Sequence, residues 1–125
     1  MFIVHDGLTM IYHITTIGDW EKAQKLGEYL TPSLEKEGFI HCSTIDQVMT
    51  IANSFYRDYN ELIILKINPN QLSSTIQWEA PIHPNTNLAH NIDNNEKFPH
   101  VYGTINLDAV VEIITLNKNH KNVFL

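Results

Sequence analysis

At 125 residues the chain has the length of one domain, and its 43% hydrophobic content is enough for an ordinary globular core. The 14 Asp and Glu against 8 Lys and Arg give a formal charge of −6 and argue against an extended nucleic-acid partner, which needs clustered cations, while leaving room for a nucleotide-like small molecule. One cysteine, Cys42, excludes an internal disulfide and a thiolate-rich zinc site and suits a cytoplasmic protein; no apolar run is longer than Leu62–Leu65, too short for a bilayer.

Met1 to Met10 has no basic segment followed by an apolar one, so no signal peptide is expected. Residues 1–9 read as a short extension, 10–116 as a single domain and 117–125 as a tail. Met10 to Thr15 alternates β-branched, aromatic and polar residues and predicts a strand. Gly18-Asp19 opens a helix with Asp19 as N-cap; Trp20, Ala23 and Leu26 share its apolar face, and Gly27 stands at its left-handed C-terminal position. Thr31-Pro32-Ser33 turns into a short helical piece, Leu34 to Glu37, stopped by Gly38, and Phe39 to Cys42 predicts a very short strand.

Thr44-Ile45-Asp46-Gln47 fits a capping box, and Val48, Ile51, Ala52 and Phe55 follow at helical spacing. Asp58 to Asn60 ends that helix. Glu61 to Ile67 is a strand whose four consecutive apolar residues suit burial on both faces, so it is expected at the centre of a sheet. Asn68-Pro69-Asn70 makes a turn, and Thr75 to Glu79 alternates again, with Ile76 and Trp78 on one face. Trp20, Trp78, Phe55 and Tyr56 are expected in the core. Ala80 to Lys97 has no period and reads as a cover over a site. Phe98 to Ile105 and Val110 to Leu116 are the last strands, joined by a turn at Asn106-Leu107-Asp108. Without a βαβ rhythm or a Gly-rich phosphate loop, the pattern points to an α+β fold, mostly antiparallel, with two main helices.

Polar groups in or beside apolar strands are costly unless they are used, and three such groups stand out. In Tyr12-His13-Ile14-Thr15, His13 and Thr15 share one face and Tyr12 and Ile14 the other. In His41-Cys42-Ser43-Thr44, His41 and Ser43 share a face just ahead of a helix start, and Cys42 points away from His41; Thr44 is read first as a cap. In Phe98-Pro99-His100-Val101-Tyr102, His100 and Tyr102 share a face, and Glu79 ends the strand after Trp78.

In this order the segments Ile11 to Thr15, Glu37 to Thr44, Gln47, Ala52-Asn53, Phe55-Tyr56, Leu62 to Ile67, Trp78-Glu79 and Phe98 to Gly103 resemble a bacterial family, domain of unknown function 952. More distantly, the aromatic-His-x-Thr and hydrophobic-His-x-Ser strands are similar to the ADP-ribosyltransferase and RNA 2′-phosphotransferase superfamily. That resemblance implies a compact split sheet that holds NAD in a cleft. It also implies catalytic roles for His13, His41, Glu79 and His100, with Thr15, Ser43, Thr44, Asn53 and Tyr102 on the substrate. Glu79 or His100 would take the late catalytic position, and Tyr102 or Tyr56 would stack on nicotinamide. The expected function is transfer from NAD, or from an ADP-ribosylated or phosphorylated metabolite, through an oxocarbenium-like state that needs a carboxylate and no metal. Two alternatives stand beside it: a non-catalytic module binding a nucleotide or other small ligand, and a metal site built from the same histidines and Glu79, although their spacing is no local metal signature.

Overall fold

The computed structural model describes residues 9–81 and 96–125. In chain order its elements are β1 (Ile11–Thr15), α1 (Ile17–Leu26), β2 (Glu28–Tyr29), α2 (Pro32–Glu37), β3 (Ile40–His41), α3 (Val48–Phe55), β4 (Glu61–Ile67), β5 (Thr75–Glu79), β6 (Phe98–Tyr102), β7 (Ile105–Asn106) and β8 (Val110–Asn117). Short 3-10 turns occupy Pro69–Gln71 and Leu107–Ala109. The class is α+β, and every strand pair among the described residues is antiparallel. No described helix is long and apolar enough to cross a membrane.

The core is built on β4, the middle strand of the sheet β1-β4-β8. Successive side chains of a strand point to opposite faces, so its apolar run feeds two clusters. Ile63, Leu65 and Ile67 pack with Ile11, Tyr29, Ile40 and Val101, while Leu62 and Ile64 pack with Tyr12, Ile14, Val48, Ala52 and Phe124. Burying a side chain of this kind contributes about 1.5–3 kcal/mol, which makes β4 the element least able to tolerate a polar substitution. The alternation read in β1 holds: Tyr12 and Ile14 join the cluster under α3, and His13 and Thr15 turn to Tyr29.

A second sheet, β3-β6-β5, and a two-stranded ribbon, β2-β7, complete the frame. Among the described residues the two larger sheets meet at the Tyr12–Ser43 backbone bridge. Tyr12 donates to the Ser43 carbonyl at 2.8 Å, and Ser43 returns the bond to Tyr12 at 2.7 Å. One residue earlier, Cys42 donates to Pro99 in β6. The segment around residues 40–43 is thus the hinge line between the sheets.

Several local expectations are corrected. Helix α1 starts earlier than Asp19: Thr16 is the N-cap, its hydroxyl accepting the Asp19 N–H at 3.1 Å, and Asp19 sits in the first turn, where its charge suits the helix dipole. Leu26, expected on the buried face, is 62% exposed, because α1 presses only Ala23 fully into the core. Pro32 brings the start of the short helix α2 forward from Leu34 to its own position, and α1 and α3 are the two longer helices, as expected. The capping box at Thr44 is half formed. Gln47 Oε1 accepts the Thr44 N–H at 2.9 Å, but Thr44 gives its carbonyl to the turn, and α3 begins only at Val48.

Trp78, expected in the core, is 45% exposed because β5 is the edge of its sheet. The strand expected over Phe98 to Ile105 breaks at Gly103, with φ at 151°, and Ile105 pairs with Tyr29 of β2 instead of continuing the sheet. Past Asn117 the chain hooks back through a Lys118–Phe124 bridge, and Phe124 is buried beneath α3. Most of the cover expected over 80–97, and of the extension over 1–9, lies outside the described residues.

Candidate functional site

His13 lies at the bottom of a cleft of about 210 Å³ between α1, α2 and the end of α3. Both of its ring nitrogens are engaged. Nδ1 is 2.6 Å from the His41 carbonyl, which can only accept, so Nδ1 carries the proton. Burial pushes the His13 pKa down to about 4, so the ring is neutral near pH 7 and its Nε2 must accept. The group 2.7 Å from Nε2 is the Tyr29 hydroxyl, whose single proton therefore points to the histidine. The 2.9 Å contact between Tyr29 and Thr15 is then one in which the Thr15 hydroxyl donates. Burial raises the Tyr29 pKa, so it stays a phenol and the relay Thr15–Tyr29–His13–His41 carries no charge.

His41 links this relay to a second cluster. Its carbonyl receives His13, and its ring, on the opposite face of β3 from Ile40 and Cys42, reaches Glu37 Oε1 through Nε2 at 3.0 Å. The register of β3 against β6 sets His41 beside His100, with ring centroids 5.5 Å apart. Phe39 stacks on His100 at 4.0 Å and 17° and meets His41 edge-on at 4.7 Å. A hollow of about 20 Å³ between the two histidines is lined by His41, Ser43, Phe98 and His100 among others.

Beyond His100 stands Glu79. The His100 Nδ1–H donates to Glu79 Oε1 at 2.8 Å, and the Tyr102 hydroxyl donates to the same oxygen at 2.6 Å. These two bonds, Tyr102's first, hold the Glu79 carboxyl below its usual range, and the same bond raises the Tyr102 hydroxyl. Burial lowers the His100 pKa, and the neighbouring His41 acts in the same direction. The result is an ionised carboxylate, partly open to solvent, gripped by a neutral imidazole and a phenol.

His13, His41, His100 and Glu79 therefore form one connected series, with Thr15 and Tyr102 at its two ends. Ser43 is buried at the bridge between the sheets and lines the small hollow, whereas Thr44 serves the start of α3. Asn53 stands elsewhere. Its amide bonds the Phe124 N–H at 2.9 Å and the Phe124 carbonyl at 3.3 Å, and it lines a depression that shares no lining residue with the two clefts. Cys42 is buried in the core, and its thiol pKa is pushed up by burial, away from nucleophilic use. Among the described residues, no group of three His, Cys, Asp or Glu side chains is arranged to hold a metal ion.

Two participants escaped the sequence reading: Tyr29 and Phe39. Phe39 was within reach, since period two from His41 puts it on the same face. Tyr29 left no periodic signal in a two-residue strand.

The family model described as Protein of unknown function (DUF952) matches residues 14–113. No curated protein matches the chain. In fold the chain is similar to protein CC0527 from Caulobacter crescentus, whose crystal structure gives a TM-score of 0.77 at 24% identity with 94% of each chain covered. The solution NMR structure of that protein gives 0.71 at 23%, covering 91% of this chain and 90% of the other. At these identities the likeness concerns the fold alone.

Proposed function

This chain belongs to the DUF952 family, and we propose that it is an ADP-ribosyltransferase-like enzyme acting on NAD or on an ADP-ribosylated or phosphorylated metabolite, with Glu79 as the reacting carboxylate. The observation that carries the reading is the pair of donors fixing an ionised, accessible Glu79, His100 at 2.8 Å and Tyr102 at 2.6 Å. Breaking a glycosidic bond to nicotinamide builds positive charge on the ribose, and a carboxylate already oriented and ionised stabilises that charge without reorganising. No metal enters this chemistry. A ligand lying over His41 would meet the His13–Tyr29 cleft on one side and the His100–Glu79 pair on the other, which suits an elongated molecule. In this scheme His13 acts as a positioning residue, since Tyr29 and the His41 carbonyl already occupy its nitrogens. The single buried Cys42 goes with a cytoplasmic setting. The test is incubation with NAD and chromatographic detection of released nicotinamide. Release that needs Glu79 supports the reading, and none under any condition removes it.

A second reading, a non-catalytic small-ligand module, is favoured by a specific feature. Among the described residues no Lys or Arg lines the His13 cleft, which would leave a pyrophosphate without a cation from them. Ligand retained unchanged in the incubation would favour that module.

A further inference from the structure

Ser43 and His100 each keep a hydrogen-bonding atom that neither the His13 relay nor the Glu79 pair uses. His41 stands opposite His100, and the next rung runs from Cys42 to Pro99, so Ser43 and His100 are diagonal neighbours across an antiparallel pair and share one face. The backbones of such neighbours lie roughly 7–8 Å apart, a separation that a short hydroxyl does not span by itself. Both residues are closed off, Ser43 at 5% and His100 at 1% exposure. The His100 Nδ1 proton goes to the ionised Glu79, so Nε2 is a bare acceptor. Among the described residues none bonds that nitrogen or the Ser43 hydroxyl. Side-chain nitrogens and oxygens wholly closed to solvent all have partners among the described residues, so these two atoms keep a sliver of accessible space. The space that both residues line is the hollow of about 20 Å³.

We infer that this hollow is a binding site for one water molecule, which bridges the Ser43 hydroxyl and His100 Nε2 and makes Ser43 a positioning residue for Glu79. A buried water needs roughly 10–15 Å³ of such space and at least two polar partners, and the hollow supplies both. An organic group does not fit in it. Ile51, Pro81 and Phe98 form an apolar part of the wall, which offers an ion nothing in place of its hydration. Phe39 stacks on the face of the His100 ring, so the in-plane edge at Nε2 is left to the water. The water donates one proton to Nε2, and the Ser43 hydroxyl makes its second bond. The line Ser43–water–His100–Glu79 then holds the imidazole at both nitrogens and aims Nδ1–H at Glu79 Oε1. Hydrogen bonds in a chain polarise one another, so a donor at Nε2 strengthens the bond from Nδ1 to the carboxylate. In this role Ser43 acts on Glu79 through the water and His100. The inference does not rest on which ligand Glu79 meets or on whether NAD is turned over.

A crystal structure of the unaltered protein that resolves ordered waters tests the site. Density for one water within roughly 2.7–3.2 Å of both Nε2 and the Ser43 hydroxyl is expected. A Ser43 hydroxyl bonded directly to His100, or a hollow without ordered density, overturns the inference. Nitrogen-15 NMR of the imidazole rings in the wild type, Ser43→Ala and Ser43→Val reads the positioning role. Valine puts a methyl group into the hollow and expels the water. In Ser43→Val the His100 Nε2 resonance should therefore move downfield, to the place of an acceptor without a donor. The Nδ1 proton should move upfield as its bond to Glu79 weakens. Ser43→Ala keeps the room for water and should show the smaller shift. His13, whose nitrogens are held by Tyr29 and the His41 carbonyl, should keep its resonances in both variants. A His100 signal that does not move in Ser43→Val, or that moves only together with that of His13, overturns the positioning role.

Discussion

The Nδ1–H of His13 donates to the backbone carbonyl of His41 across 2.6 Å, and this bond ties β1 to β3 beside the Tyr12–Ser43 backbone bridge. A side chain here supplements the main-chain ladder where the sheets part. The bond also fixes the tautomer of His13, and with it the direction of every proton in the relay through Tyr29 and Thr15.

Stability should fall on acidification because of His13. Its folded pKa is about 4 against 6.5 unfolded, so between those values the unfolded chain binds more protons and stability rises with pH. The contribution is complete above pH 6.5 and lost as pH falls toward 4, about 3 kcal/mol in all. The lowered pKa of His100 acts in the same direction. Urea midpoints at pH 7 and pH 4 measure this, and His13→Gln should flatten the dependence.

Tyr29→Phe should destabilise the protein by about 1–3 kcal/mol although only one oxygen is lost, because the buried Nε2 of His13 is left without a donor. The measurement is the shift in urea midpoint, and a Tyr29→Phe protein as stable as the wild type would remove the relay as described.

Gly103→Ala should cost about 1–3 kcal/mol. The backbone there has φ at 151°, and an added Cβ would strike the Ser74 side chain, 2.9 Å from its Cβ. Ser74→Gly in the same chain should recover part of the loss, the strain of φ remaining; thermal melts of the two variants make the comparison.

Phe124→Ala should cost about 3–5 kcal/mol by opening a cavity under α3, where Phe124 is 1% exposed. Asn53→Ala should be milder, since Phe124 keeps its apolar contacts and loses the bonds at 2.9 and 3.3 Å. Neither change should alter ligand binding in the His13 cleft, which calorimetry on both variants checks.

Where a signal spans several residues, sequence and structure agree closely. The strand read over Glu61 to Ile67 matches β4 in both bounds and in its central place, because its apolar run needs two buried faces. The facing of His13 with Thr15 follows from period two alone. What escaped is short or depends on the partner. The ribbon β2–β7 consists of two residues on each side and carries no period, so Tyr29 stayed hidden although it completes the His13 relay. Trp78 looks like a core residue until β5 is known to be an edge. The nearness of His41 to His100 comes from the β3–β6 register, which no local pattern encodes.

The most direct measurement compares nicotinamide release from NAD by the wild-type protein and by Glu79→Gln, with NAD binding followed by calorimetry on both. Release by the wild type, reduced roughly 10²–10³-fold in the variant while binding persists, is expected if Glu79 stabilises the ribosyl cation. Equal release from the two proteins, or bound NAD that neither of them cleaves, would contradict it.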